Sequence, residues 1–191
     1  MEPVVVDSRE RGREAMQRHA WTEALEAFTA ADREGQLAPE DLELMGEAVW
    51  WTGRPDDAVD PLERAFAAYV EAGRRTEAAK VAFRLAYMAF RRLSESVGGG
   101  WMGRAAELLA NLPESGVNAW FYLYSAVGAL MERRMMDALE SANRAIALGR
   151  EHGNPDAQFM ATSFKGYFAL HQGHIQEGLV LCLLSGPGGR W

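Results

Sequence analysis

The chain has 191 residues, enough for one domain or one array of repeats, and its 48% hydrophobic and 25% charged content is that of a soluble globular protein. A formal net charge of −7 opposes nucleic-acid binding by this segment, because phosphate contacts need a basic face, and opposes docking on an anionic membrane, so neither nucleic acid nor membrane is an expected partner. A single cysteine, Cys182, excludes an intramolecular disulfide and suits a reducing cytoplasm.

In chain order, Met1 to Asp7 lacks the basic start and long apolar run of a signal peptide. Val4 to Val6 is an isolated apolar run with no partner strand. Beyond it, apolar residues fall at helical spacing, as in Leu42, Met45 and Val49 or Ala78, Val81, Ala82 and Leu85. That spacing predicts helices near 8–18, 22–34, 40–52, 55–72, 75–92, 99–111, 117–132, 136–151, 155–171 and 175–184. Pro55 with Asp56 and Asp57, and Asn154 with Pro155 and Asp156, read as helix starts. Gly35, Gly73 and Gly153 read as helix stops. Leu179 to Leu184, the longest apolar run, is far too short to span a membrane.

A rhythm runs through these elements. His19 to Ala24 recurs as Gly53 to Ala58, Arg133 to Ala138 and Gly173 to Gly178, with a degenerate copy from Leu93. The starts are 34, 40, 40 and 40 residues apart, a period that signals stacked helix pairs. Small residues recur in couples: Gly12 with Ala24, Gly46 with Ala58, Ala126 with Ala138 and Gly166 with Gly178. They predict close crossings within each pair, with Phe28, Leu62 and Met102 filling the gap beyond.

On these residues the chain resembles the tetratricopeptide repeat (TPR) family. The match is strongest from Leu42 to Val49 and through Gly53, Ala58, Leu62 and Ala65. The resemblance implies an all-α, right-handed α-solenoid of about five helix pairs, the last incomplete. Residues 1–185 form the repeat domain and 186–191 a disordered or non-native tail. The third repeat departs most, because Gly98-Gly99-Gly100 predicts a second helix that starts late or frays. Gly46 to Gly53 with Ala58 and Leu62 to Ala65, and Ala142 to Arg150, are similar more narrowly to the N-terminal repeat region of large LuxR-type bacterial regulators. No helix-turn-helix of that family is visible. The C-terminal repeat carries no polar capping face, so the chain looks truncated relative to such proteins. An uncovered apolar flank there predicts a homodimer through Leu181 and Leu184, or a fold-back of Trp191.

Candidate chemistry is sparse. Gly98-Gly99-Gly100-Trp101-Met102-Gly103 matches the dinucleotide-binding glycine pattern but follows a predicted helix, where that mechanism needs a strand. His171 and His174 flank Gly173, which leaves their directions unfixed, and they read as turn residues with no third metal ligand. Arg74-Arg75, Arg91-Arg92 and Arg133-Arg134 read as helix C-terminal cations. Cys182 reads as a core residue. No catalytic constellation, cofactor site or metal site is expected.

In the TPR family the first helix of each pair lines the concave face. Carried over, that position implies a partner-binding groove of Trp50, Trp51, Phe83, Tyr87, Phe90, Trp120, Leu123 and Tyr167, with Leu130 and Leu170 beside them. Aromatic anchors are what peptide and helix recognition use. The expected function is therefore a non-enzymatic, cytoplasmic protein- or peptide-binding region, the sensory part of a LuxR-like regulator lacking its DNA-binding domain. The alternatives are a small-molecule-sensing repeat domain and a scaffold of an unrelated complex.

Overall fold

A computed structural model of the chain describes residues 7–35 and 37–184. Ten α-helices and no strand occur among the described residues: α1 (Ser8–Gln17), α2 (Trp21–Arg33), α3 (Pro39–Trp51), α4 (Val59–Glu71), α5 (Arg75–Arg91), α6 (Glu95–Leu109), α7 (Gly116–Met131), α8 (Met135–Glu151), α9 (Pro155–His171) and α10 (Ile175–Leu184). A 3-10 turn, Pro55–Ala58, leads into α4. The Val4 to Val6 segment and the tail Gly186 to Trp191 lie outside the described residues. The helices form two compact units, residues 1–108, ending within α6, and residues 109–191. Successive helices pack as neighbours from α1 to α5 in the first unit and from α7 to α10 in the second.

Each pair closes through one left-handed residue. His19, Gly53, Leu93, Arg133 and Gly173 all have φ between 57° and 85°, and these are the five starts of the sequence rhythm. The N–H of each donates to the carbonyl three residues back, as Gly53 does to Trp50 at 3.1 Å and Leu93 to Phe90 at 2.9 Å. The next N–H reaches back five residues, as Arg54 does to Val49 at 3.4 Å and Ser94 to Ala89 at 3.0 Å. This double bond satisfies the last carbonyls of a helix and turns the chain sharply. Leu93 is thus a full member of the series, although a side chain in this conformation costs about 1–2 kcal/mol.

Close crossings then lock the pairs. A Cβ at Gly46 would stand 2.8 Å from Leu62 Cγ, and one at Gly12 would stand 2.6 Å from the Phe28 ring. A Cβ at Gly166 would stand 2.8 Å from Cys182 Sγ, so Cys182 occupies the filling position that Phe28 and Leu62 hold in earlier repeats. The relation also runs in reverse. Gly178 receives Leu170, and Gly98 receives the Phe90 ring, whose nearest carbon would lie 2.4 Å from an added Cβ. Ala86 with Gly98 is therefore the missing couple of the third repeat. Helix α6 starts at Glu95 and runs through Gly98-Gly99-Gly100, against the expectation of a late start. Packing of Phe90 on Gly98 outweighs the weak helix propensity of three glycines.

Charges fasten the helix starts. Asn154 caps α9 through the Ala157 N–H at 3.1 Å and donates to the Gly116 carbonyl at 2.7 Å. Arg54 pairs with Asp57 at 2.9 Å and Arg74 with Glu77 at 2.9 Å. Arg134 meets Asp137 in the same way. Arg74 and Arg134 thus precede helices rather than end them. Their partners are carboxylates, of the following first turn and, for Arg74, of Glu40 and, for Arg134, of Glu132, not carbonyls at a C-terminus. Asp41 is fully buried and receives Arg13 Nε at 2.7 Å and Nη2 at 3.1 Å, which ties α3 to α1.

Gly98 and Gly99 give the packing a direct test. Gly98→Ala should lower stability by about 1 kcal/mol, as overpacking against Phe90 exceeds the gain in propensity. Gly99 has nothing within 4 Å of an added Cβ. Gly99→Ala should therefore raise stability by about 0.5–1 kcal/mol. Urea unfolding of the two variants should move the midpoint in opposite directions.

Candidate partner-binding surface

In the first unit, one row of side chains stands out at the C-terminal ends of the first helices. Trp51 ends α3 and stacks on Trp21 with ring centroids 5.7 Å apart. Trp21 in turn stacks on His19 at 5.0 Å. On the other side, Trp50 meets Tyr87 of α5 at 6.0 Å. The Arg91 guanidinium lies 5.1 Å from the Trp50 ring centre and 5.8 Å from that of Tyr87. Trp51 is 41% exposed, Trp21, Trp50 and Tyr87 are half-buried, and Arg91 and His19 are exposed. The row is thus an aromatic strip that starts at His19 and ends in a cation.

A charged brace joins α3, α4 and α5 in the same unit. The Glu43 carboxylate accepts from Lys80 Nζ at 2.7 Å, from the Tyr69 hydroxyl at 3.3 Å and from Arg84 at 3.4 Å. Burial, reinforced by the Glu43 and Glu40 charges, pushes the Tyr69 phenol well above its ordinary range. A hydrogen bond from Arg74 holds the Glu40 carboxyl below its usual value.

The other groove residues are placed differently. Phe83 is 2% exposed and Leu123 is 3% exposed, so both spend their surface in the core. Alternate faces of α5 and α7 are both covered in their own units, which helical spacing alone does not reveal. Phe90 is half-buried and fills the Gly98 crossing, as Leu170 fills that at Gly178. Trp120 packs on Leu123, Ala145 and Ala161 and stacks on Tyr124 at 6.3 Å. Tyr167 is 51% exposed and meets His171 edge-on, with ring centroids 4.3 Å apart. In the second unit the named aromatics therefore form no strip. His19, Trp21 and Arg91 escaped the sequence reading because two of them lie on the turn and second helix of the first pair, and the third is not aromatic.

Other surfaces offer less. A cavity of about 540 Å³ is lined by Leu25, Met45 and Val49 with Arg33, Arg54 and Asp60 at its rim. The GxGxxG segment lies inside α6. Among the described residues, no group of three His, Cys, Asp or Glu side chains could hold a metal ion, and no helix is long and apolar enough to cross a membrane. On α10, Ile175, Leu179, Val180 and Leu183 are exposed, whereas Leu181 is half-buried.

No protein-family model matches the sequence, and no curated protein matches it. Solved structures do. BtubC (BKLC) from P. vanneervenii superposes with a TM-score of 0.65 at 17% identity, over 94% of this chain and 81% of that one. A Podosopora anserina kinesin-light-chain-type protein with nearly identical TPR-like repeats superposes with a TM-score of 0.60 at 14% identity, over 93% and 91% of the two chains. Its Q17M variant gives a TM-score of 0.62. The fold is that of the TPR-like α-solenoids. At these identities the likeness carries the architecture alone, and the residues of the strip have to be read from this chain itself.

Strip and core are separable by mutation. Phe83→Ala should cost about 3–5 kcal/mol, the usual cost of emptying a buried aromatic site. Arg91→Ala should cost no more than about 1 kcal/mol, the worth of an exposed cation–π contact. Thermal unfolding followed by circular dichroism measures both, and comparable losses would contradict this division.

Proposed function

We propose that this chain is a protein-binding repeat module whose contact surface is the aromatic strip of the first unit. The single observation behind the reading is the set of aromatic side chains left partly in solvent on an otherwise salt-bridged surface, with Trp51 41% exposed. Exposed tryptophan and tyrosine beside arginine is the composition of interface hot spots. The TPR-like fold supports it, since stacked helix pairs offer extended surfaces. We place the module in the regulatory part of a LuxR-like bacterial regulator, working in the cytoplasm without catalysis of its own. That placement rests on the resemblance of Gly46 to Ala65 and Ala142 to Arg150 to such regulators.

The test is affinity capture from the cells that make the protein, with the parent chain and Trp51→Ala side by side. A protein retained by the parent and lost from the variant supports the module. Equal retention by both overturns it. A small molecule detected on the parent by native mass spectrometry and absent from the variant would favour a ligand sensor instead.

The same reading includes self-association through the C-terminal repeat. Beside Leu181 and Leu184, the exposed Leu179, Val180 and Leu183 of the same helix would take part in the contact. Val180→Glu combined with Leu183→Glu should turn a dimer into a monomer in light scattering. A parent chain that is already monomeric at high concentration ends this part of the proposal.

A further inference from the structure

The cavity of the first unit has a lining that the aromatic strip does not use. Its volume of about 540 Å³ is that of a small-molecule site. Leu25, Glu26, Thr29 and Arg33 form one wall, and their helical spacing keeps them on one face of α2. Met45 and Val49 of α3 form the floor, and Asp60 and Pro61 of α4 line the other side. Helices α2 and α4 both pack on α3. Arg64 of α4 also grips Asp32 of α2 through two hydrogen bonds, at 2.6 and 2.9 Å. That pair ties the two walls to each other, so the fold itself holds the cavity open.

The chemistry of the lining decides what fits. Leu25 and Met45 are half-buried and Val49 is buried, which gives an apolar body a place to rest. The polar groups around it are mostly acceptors. The Thr29 hydroxyl donates to the Leu25 carbonyl at 2.7 Å, so it offers a ligand only its lone pairs. Pro61 has no N–H to give. Arg54 is held by Asp57 at 2.9 Å. Glu26 is exposed and makes no ion pair among the described residues. Asp60 stands 3.7 Å from Arg64, whose shorter contacts go to Asp32. Two carboxylates thus keep most of their bonding capacity. An ammonium, with three donors and no acceptor, is their complement. The net charge of −7 adds attraction for a cation at longer range. Arg33 lies seven residues beyond Glu26, two helical turns and about 10 Å of rise along α2, and repels a second cationic group at that end.

We infer that this cavity binds a small organic amine with an apolar body and a single ammonium group, the body on Leu25, Met45 and Val49 and the ammonium on the carboxylates of Glu26 and Asp60. Arg33 selects against a diamine. The inference is independent of the protein-binding reading, because strip and cavity share no residue.

The experiment is a methyl NMR titration of the full chain with phenethylamine, with phenethyl alcohol as its neutral isostere. The methyl signals of Leu25, Met45 and Val49 should move saturably with the amine. The alcohol should bind about ten-fold more weakly, as for loss of hydrogen bonds made by a charged group. Glu26→Gln and Asp60→Asn should each weaken the amine about three-fold or more, the scale of an exposed charge contact, with helical circular dichroism unchanged. Hexylamine should bind the parent more tightly than hexamethylenediamine, and Arg33→Gln should remove that difference. Methyl signals that stay put at millimolar amine overturn the inference. So does equal binding of the alcohol, or an affinity indifferent to both carboxylate variants. A diamine that binds the parent as well as hexylamine does removes the selective role of Arg33.

Discussion

The structure depends on how closely two helices of a pair can approach. A side chain from one helix enters the space of a missing side chain on the other, at Gly12, Gly46 and Gly166 in one direction and at Gly98 and Gly178 in the reverse direction. Dispersion and burial reward such a fit only when the backbones are within contact range. The left-handed residue at each turn supplies that range, because its two back-directed hydrogen bonds fold the chain onto itself within a few residues. The two devices are interdependent. A wider turn would open the crossing, and a bulky residue at the crossing would strain the turn. Three of the five turns tolerate a side chain at positive φ, at His19, Leu93 and Arg133, which shows that packing on both sides outweighs the local cost.

Electrostatics settle around that frame. Basic residues at helix starts meet acids of the first turn, so charges that oppose the helix dipole at the N-terminus are offset by their partners. Asp41 is buried yet paired twice over with a half-exposed arginine, which keeps its charge tolerable without full desolvation of the pair. Glu43 gathers a lysine, an arginine and a tyrosine from two other helices. Most exposed pairs of this kind contribute little individually.

Repetition also explains where specificity can reside. Positions 51, 91, 131 and 171 stand in the same register of successive repeats, yet hold Trp, Arg, Met and His. Residues that make the frame recur because the crossing admits few shapes. Residues at the helix ends vary because nothing in the frame restricts them. Variation of that sort concentrates the aromatic strip in the first unit, while in the second the comparable aromatics turn into packing, as Trp120 does, or meet a turn histidine, as Tyr167 does.

Much of the fold was legible in the sequence because its signals are local. A turn needs a left-handed residue at one position, and a crossing needs small residues twelve apart, so both leave a period in the chain whatever lies elsewhere. The reading failed where a local preference met a tertiary contact: Gly98-Gly99-Gly100 looked like a break, and the Phe90 ring made it helix. The candidate surface was legible only in part. Trp50, Trp51 and Tyr87 came from register, but register could not separate them from Phe83 and Leu123, which share their helical face yet are covered by neighbouring helices. His19, Trp21 and Arg91 join the strip across three helix pairs, at separations no motif records. Sequence determined the helices, their pairing and their turns, since each depends on residues within one repeat. Which side chains remain in solvent together was decided by the stacking of repeats, because exposure depends on what the next helix covers.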